Sequence, residues 1–253
     1  TLSGEQLRAL AAPEAAMYKA QQAASVQMPY VGLAIALLVL GIVVLMLHLP
    51  SISSVEGEAE KTTTYGQVLK QRHLMLGVIG IFAYVGGEVA IGSYLINFFG
   101  LPEIAGMKEA DAASYVSYYW GGAMVGRFIG SFLLTRVKPG LLLALQAGVA
   151  FVLVGLAVMS AGTLAMWSLI LVGLMNSIMF ATIFTLAIKD LGVLTNKGGS
   201  LLNMAIVGGA VVPYIQGLLA DSMGLHQAFI IPLLCYAYIV YYGIGGSSVR
   251  DMR

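Results

Sequence analysis

Charge is what this sequence has least of. Only 10% of its 253 residues are Asp, Glu, Lys or Arg, whereas 59% are hydrophobic. Soluble domains carry about 25% charged residues, so the composition excludes an ordinary water-soluble domain and indicates a polytopic membrane protein. The formal net charge of +1 supplies no strongly basic surface and argues against nucleic acid as a partner.

Cysteine and catalytic motifs are scarce as well. Cys235 is the single cysteine, so a disulfide within the chain is excluded. The three histidines lie at segment ends without the spacing of metal ligands, and we expect no metal site. The sequence contains no HExxH, GxSxG or GxxxxGK(S/T) motif, which removes support for a zinc or serine hydrolase of these kinds and for ATP use. We therefore expect a protein that is not an enzyme and that holds no cofactor.

Long apolar runs are present instead. Each is close to the ~20 residues that span a bilayer as a helix, whereas the strands of a membrane barrel would be half as long and would alternate in polarity. We therefore predict an all-α membrane protein with seven transmembrane helices. The seven runs cover residues 28–49, 74–99, 113–135, 141–160, 164–188, 200–220 and 227–246.

These runs divide the chain into segments. Residues 1–27 are predicted as an extracytoplasmic segment, 28–49 as a transmembrane helix, 50–73 as a polar cytoplasmic linker and 74–253 as a six-helix bundle. Lysine and arginine concentrate in the connections after the first, third, fifth and seventh runs, so the positive-inside rule places the start of the chain outside and its end in the cytoplasm. Because the chain opens on Thr1 in what reads as a loop, we expect a piece of a longer protein.

One charge lies deep in an apolar run. The run at residues 74–99 carries Glu88 near its middle, with Tyr84 one helical turn earlier. A charge at that depth costs at least ~2.5 kcal/mol, so Glu88 is expected to face a cavity or a partner rather than lipid. It could bind a sugar hydroxyl or a proton, or it could form a buried ion pair with Arg127. We favour a functional role for Glu88 and a gating or helix-bracing role for Arg127.

Other polar side chains in the later runs are candidates for substrate contact. For Asn203 and Gln216, hydrogen bonding between helices is an equally good explanation. Aromatic side chains at Tyr118, Tyr119 and Trp120 could stack on a sugar face. The polar candidates are Asn97, Asn176, Asn203 and Gln216.

Polarity along the six later runs follows a regular order, polar, polar, apolar, and then the same again. Two triplets of helices, each with its third helix facing lipid, would produce this order, and repeated three-helix units are a recurrent transporter plan. In the sixth run, Pro213 removes a backbone donor and obstructs the carbonyl of Gly209, which predicts a kinked or broken helix at mid-membrane. Backbone groups freed there need a cavity or protein to satisfy them.

Three separated motifs carry a resemblance to a known family. They are YVGGEVAIGSYL at residues 84–95, SIMFATIFTLAIKDLG at 177–192 and IVGGAVVP at 206–213. With these motifs the sequence resembles the fucose–proton symporter family of the major facilitator superfamily. It is most similar to the glucose/galactose transporter branch, partly because of Glu88 and of PYIQG at 213–217. The resemblance covers nearly the whole chain.

The resemblance implies a twelve-helix transporter, of which this chain is the sixth helix and the C-terminal six-helix bundle. It implies secondary active transport of a monosaccharide (glucose, galactose or fucose) with a proton or a sodium ion, by alternating access in a bacterial inner membrane. The implied partners are the sugar, the cation, the lipid bilayer and the N-terminal bundle of the same transporter.

Two details qualify what the resemblance implies. The carboxylates usually credited with proton coupling belong to the N-terminal bundle, which favours sugar binding over coupling for Glu88. The family commonly has proline where this chain has Ala181, so we expect a straighter helix there. A non-transporting sugar sensor or partner-binding subunit is the alternative function, and the regular polar pattern weighs against it.

Overall fold

The computed structural model describes residues 12–46 and 64–248 of the chain. In this described part, all regular structure is helical. Contacts divide the chain into two compact units, residues 1–54 and 55–253. Residues 47–63, which include much of the predicted cytoplasmic linker, lie outside the described part.

The first unit contains one long helix, α1, from Ala12 to Met46. Pro13 falls in its first turn, where a missing N–H removes no intrahelical hydrogen bond, and the alanine-rich sequence that follows favours helix. The helix continues through Pro29 into its apolar part. It therefore joins residues 12–27, predicted as a separate segment, to the predicted membrane helix.

The second unit is a bundle of helices connected by short turns. Two 3₁₀ turns, Gly192–Leu194 and Ala205–Val207, precede its seventh and eighth helices, and a π-helical turn, Tyr242–Gly246, follows the last. The helices are α2 (Tyr65–Leu69), α3 (Arg72–Gly100), α4 (Glu109–Leu134), α5 (Pro139–Met159), α6 (Gly162–Asn176), α7 (Met179–Ile188), α8 (Thr195–Met204), α9 (Gly208–Met223), α10 (Leu225–Ala228) and α11 (Ile230–Tyr241).

Helix α3 is the centre of this packing, because it contacts α4, α7, α9 and α11. Helix α6 packs against both α4 and α5, and α5 packs against α11. Small residues allow the closest approaches. A Cβ at Gly208 of α9 would collide with the backbone carbonyl of Phe82 on α3, and one at Gly173 of α6 would collide with that of Tyr119 on α4.

Five segments of the described part are long and apolar enough to cross a membrane, with mean hydropathy from 1.5 to 2.5. The apolar stretch of α1, Gln27–Val43, is shorter, and α4 is long, with 26 residues, but more polar. Together they account for the seven predicted segments, and the predicted all-α membrane fold is confirmed. The five segments are Arg72–Gly100, Pro139–Met159, Gly162–Ile188, Gly192–Met223 and Leu225–Gly246.

Two of these segments are interrupted. The expectation of a straighter helix at Ala181 is wrong, since Ser177 and Ile178 form a turn between α6 and α7, immediately before the helix that contains it. Buried partners hold this turn: Tyr84 donates a hydrogen bond to the carbonyl oxygen of Asn176 (3.0 Å), and Thr182 Oγ1 donates one to that of Ile178 (2.8 Å). The turn therefore does not depend on a proline.

The second interruption is the one that Pro213 predicts. The 3₁₀ turn Ala205–Val207 lies immediately before Gly208, close to the predicted position at Gly209. Pro213 itself lies inside α9, and its carbonyl oxygen accepts a hydrogen bond from the Tyr94 hydroxyl of α3 (3.3 Å). Both interrupted segments thus contact α3 beside their breaks.

Candidate functional site

Glu88 lies near the middle of α3, a helix of 29 residues. Its side chain is half-buried, whereas Tyr84, one turn earlier, is buried. The Tyr84 hydroxyl and the guanidinium of Arg127 on α4 are the polar groups near enough to act electrostatically on the Glu88 carboxylate. Glu88 is therefore neither turned away from the protein nor sealed inside it.

A buried hydrogen-bond network stands behind this carboxylate. The Asn176 side-chain amide donates to the Tyr119 hydroxyl of α4 (2.8 Å), and its amide oxygen accepts from the Tyr236 hydroxyl of α11 (2.8 Å). The Asn176 carbonyl oxygen accepts a hydrogen bond from the Tyr84 hydroxyl (3.0 Å). Asn176 is the last residue of α6, where backbone carbonyls lack intrahelical partners. One asparagine thus connects helices α3, α4, α6 and α11.

This network changes how three predicted residues are understood. Asn176 has no exposed surface and both ends of its side chain are bonded, so a direct contact with a ligand would require these bonds to open. Tyr119 is also fully buried, and the expectation that it stacks on a sugar is wrong. Tyr236 is not among the residues that the sequence singles out, although tyrosines on an otherwise apolar helix were the available signal.

Helix α4 brings two further side chains to the same region. Trp120 and Arg127 are two turns apart and share a face of the helix, and both are exposed. The indole of Trp120 packs edge-on against Tyr119, with ring centroids 5.1 Å apart, and lies next to Gly92, one turn beyond Glu88. Trp120 keeps 48% of its surface exposed, so its ring is open to a ligand.

Three predicted contact residues are not gathered here. Asn97 is exposed but lies two and a half turns beyond Glu88, on the opposite face of α3. Asn203 is exposed on α8, and Gln216 is fully buried on α9 with neither amide atom hydrogen-bonded in the described part of the chain. Their contact with substrate stays a prediction.

The gathered groups define a chemistry. A carboxylate accepts hydrogen bonds from hydroxyl groups, a guanidinium donates them, and an exposed indole face packs on an apolar ring surface. Among the described residues there is no group of three His, Cys, Asp or Glu that could hold a metal ion. The carboxylate, guanidinium and indole are groups that a neutral polyhydroxylated ligand can use. This candidate site consists of Tyr84, Glu88, Trp120 and Arg127, with Asn176 behind it.

Comparisons with known proteins identify relatives of the chain. A glucose/galactose transporter of Brucella abortus (strain 2308) is 50% identical over 227 residues, which make up 90% of this chain and 55% of that protein. The L-fucose-proton symporter of Escherichia coli K12 is 33% identical over 227 residues, 88% of this chain and 52% of that protein. The chain spans about half the length of these curated relatives, and no protein-family model matches it.

A solved structure matches the fold. The crystal structure of the major facilitator superfamily transporter FucP in the outward conformation matches with a TM-score of 0.82 and 29% identity. The match covers 98% of this chain and 61% of that one. A bundle of membrane-length helices, two of them broken beside a polar face, is thus one half of a major facilitator transporter.

The curated relatives also identify the family within that superfamily. The chain belongs to the fucose–proton symporter family and corresponds to its C-terminal half. It is an integral membrane protein, and the expectation that it is not an enzyme is confirmed by relatives that are named as transporters.

Proposed function

We propose that this chain is the C-terminal bundle of a sugar–proton symporter and provides one wall of its sugar site. In this proposal Glu88 accepts hydrogen bonds from sugar hydroxyls, Trp120 packs on the sugar ring, and Arg127 balances the carboxylate. Asn176 positions Tyr84 and, through it, Glu88. The N-terminal bundle of the same transporter supplies the other wall.

The half-buried carboxylate at the middle of α3 is the observation that carries the proposal. An ionisable group at that depth in an apolar helix is costly unless it faces a cavity or a partner, and such residues usually mark a substrate or ion pathway. Here the carboxylate has a hydroxyl on its own helix, a cation on the next and an exposed indole nearby. Such groups can donate and accept hydrogen bonds with a sugar and pack on its ring.

The names of the relatives support a proposal for the substrate and the coupling ion. The higher identity to a glucose/galactose transporter than to the fucose symporter favours a hexose such as glucose or galactose. We propose proton coupling in a bacterial inner membrane, with residues 1–27 beginning outside and the end of the chain in the cytoplasm. Alternating access of the two bundles around the site would move the sugar across the bilayer.

Uptake by the full-length transporter in proteoliposomes tests the role of Glu88. Loss of one hydrogen bond to a charged group corresponds to roughly tenfold or more in kcat/KM, so Glu88→Gln should lower hexose uptake by at least that factor. Glu103→Gln, in the exposed turn after α3, is the matched control and should change little. Unchanged kinetics of Glu88→Gln at both acidic and neutral pH would remove Glu88 from the site.

Trp120 gives an independent test. Aromatic contacts of this kind are worth about 0.5–1.5 kcal/mol, so Trp120→Ala should raise KM for the hexose roughly threefold to tenfold, with Trp120→Phe closer to wild type. Tyr118, the other exposed aromatic candidate on α4, packs against Tyr115 and Trp167 on another face, so Tyr118→Ala is the control and should leave KM unchanged. An unaltered KM for Trp120→Ala would exclude stacking.

Counterflow separates transport from sensing. A symporter loaded with unlabelled hexose accumulates labelled hexose, whereas a sensor binds it and accumulates none. Imposed proton and sodium gradients, compared in the same vesicles, identify the coupling ion. Sugar binding without counterflow would replace the transport proposal with a sensor.

A further inference from the structure

An apolar cleft lies between α4 and α5, and none of the residues of the candidate sugar site lines it. The two helices are joined by the short connection Thr135–Lys138, yet both pack mainly on α6 rather than on each other. A cavity of about 280 Å³ remains between them, with Leu174 and Met175 of α6 among its walls.

The cleft is apolar along nearly its whole length. Ile129 and Leu133 of α4 line one side, and Leu145 and Val149 of α5 line the other. Ile129, Leu145 and Val149 are each about half exposed. Gln146 is the one polar side chain in the lining, and its amide oxygen is buried without a hydrogen-bond partner among the described residues. A polar solute would find little to bind in such a cleft.

The length of the cleft matches one leaflet of a bilayer. On α5 the lining residues run from Leu142 to Val149, and Val149 is eleven residues beyond Lys138. At ~1.5 Å per residue this places the far end ~16 Å from the connection, close to half of the ~30 Å hydrocarbon thickness. One lipid acyl chain has the shape and depth that this cleft accepts.

The connection at the mouth of the cleft is basic. Arg136 and Lys138 are both exposed, no acidic residue lies between Leu133 and Gly140, and the Arg136 guanidinium is held over the Phe132 ring at 4.9 Å. Basic groups at helix ends beside a cleft between membrane helices attract anionic lipid headgroups. The basic residues at the mouth therefore favour anionic lipids among those whose acyl chain could enter the cleft.

We propose that the cleft between α4 and α5 binds one acyl chain of an anionic phospholipid, whose phosphate is held by Arg136 and Lys138. Arg127, on the face of α4 that carries Trp120, takes no part in this site. Lipid bound here would bridge the ends of α4 and α5, which contact each other little. The site is separate from the proposed sugar site and does not depend on it.

Native mass spectrometry of the purified full-length transporter tests the headgroup. We expect the wild-type protein to retain one dioleoylphosphatidylglycerol in preference to dioleoylphosphatidylcholine. Arg136→Gln/Lys138→Gln should weaken phosphatidylglycerol retention roughly thirtyfold, because each basic residue near an anionic surface contributes about fivefold in affinity. Lys189→Gln, an exposed lysine in another connection, is the control and should keep the preference. Equal retention of both lipids, or an unaltered double variant, would overturn the proposal.

A second variant tests the cleft itself. Leu145→Trp should fill the cleft and reduce retention of both lipids, whereas Leu156→Trp, three turns further along the exposed face of α5, should not. Lipid retention by a folded Leu145→Trp protein would reject the proposal. A photoreactive group attached through Leu145→Cys should crosslink to lipid, and crosslinking to another helix of the transporter instead would also reject it.

The source of the phosphate is tested by competition. Glycerol phosphate added in excess to the wild-type transporter should fail to displace the lipid, because the acyl chain supplies much of the binding. Displacement by glycerol phosphate would overturn the lipid assignment and give the site to a free phosphate.

Discussion

At the scale of single residues, Asn176 shows how a polar group can serve a ligand site without touching the ligand. Its side chain ties Tyr119 to Tyr236, and its backbone carbonyl fixes the hydroxyl of Tyr84. Because Tyr84 lies one helical turn from Glu88, the surroundings of the carboxylate depend on a bond made at the end of another helix. The asparagine is therefore a positioning residue in the proposed site.

Asn176→Leu should destabilise the full-length protein by about 2–4 kcal/mol. The substitution removes two hydrogen bonds between helices, each worth roughly 1 kcal/mol in a membrane, and leaves two buried tyrosine hydroxyls without these partners. Tyr236→Phe should cost about half as much. Unfolding by SDS in mixed micelles measures the free energies of unfolding.

Asn203→Leu supplies the control for that series, because the same change is made at an exposed position of α8. It should alter the free energy of unfolding by no more than about 0.5 kcal/mol. If Asn176→Leu behaved like Asn203→Leu, the network would not stabilise the bundle.

The residues of this site show which part of it the sequence could predict. Glu88 was recognisable because a lone carboxylate in an apolar run is costly wherever the chain folds. The partners of Asn176 were not, since Tyr119 and Tyr236 lie 57 and 60 positions away from it along the chain. Periodicity reports which residues share a helix face, but it carries no information about which distant helix that face meets.

At the scale of helices, the break between α6 and α7 is built by contacts rather than by proline. Ala181 is the third residue of α7, within the first turn, where N–H groups lack intrahelical partners. A proline at position 181 therefore removes no intrahelical hydrogen bond. Its ring would follow the turn at Ser177 and Ile178 and would not lie inside a continuous helix.

Ala181→Pro should accordingly change the free energy of unfolding by less than about 1 kcal/mol. Thr185→Pro, one turn later on the exposed face of α7, should cost about 3 kcal/mol because it removes an interior hydrogen bond. Both variants are compared by the same unfolding measurement. Equal, large losses would mean that α6 and α7 form one continuous helix in the membrane.

At Gly208 the contact between α3 and α9 brings two backbones together, which a side chain would prevent. A methyl group at Gly208 would meet the carbonyl oxygen of Phe82, and backbone cannot rotate out of the way as a side chain can. Gly208→Ala should therefore separate the helices and cost about 1–3 kcal/mol.

Gly148→Ala should instead stabilise the protein. Nothing lies within 4 Å of a Cβ at Gly148 on α5, so the substitution adds helix propensity worth about 0.5–1 kcal/mol at no steric cost. Amide hydrogen exchange of α9 in both variants distinguishes local loosening from a change in overall stability. Slower exchange in Gly208→Ala than in wild type would contradict the packing described here.

At the scale of the whole molecule, the architecture was easier to predict from the sequence than the site. Apolar runs of membrane length and one proline predicted the membrane segments and the break beside Gly208, since burial in lipid imposes length and backbone satisfaction on every span, but not the break at Ser177 and Ile178. The alanine-rich composition of residues 12–27 indicates helix, but the sequence does not show that this helix is continuous with the membrane helix, because such a stretch can continue a membrane helix without an end signal. Asn97 is a site candidate by polarity alone, and helical geometry turns it away from Glu88.

The chain spans about half of its relatives, and this sets the last prediction. The face that carries Glu88, Trp120 and Arg127 is open in this bundle, with Trp120 and Arg127 exposed. Alternating access needs a second bundle, because a sugar site is closed on one side of the membrane and opened on the other only by motion of one half against its counterpart.

Residues 1–253 reconstituted alone should therefore give no counterflow of labelled hexose, and co-reconstitution with the remainder of the transporter should restore it. Vesicles without protein set the leak rate, and the full-length transporter sets the upper limit. Counterflow above the leak rate from residues 1–253 alone would mean that the bundle pairs with a second copy of itself. Glu88→Gln in that preparation would then show whether the same carboxylate serves both arrangements.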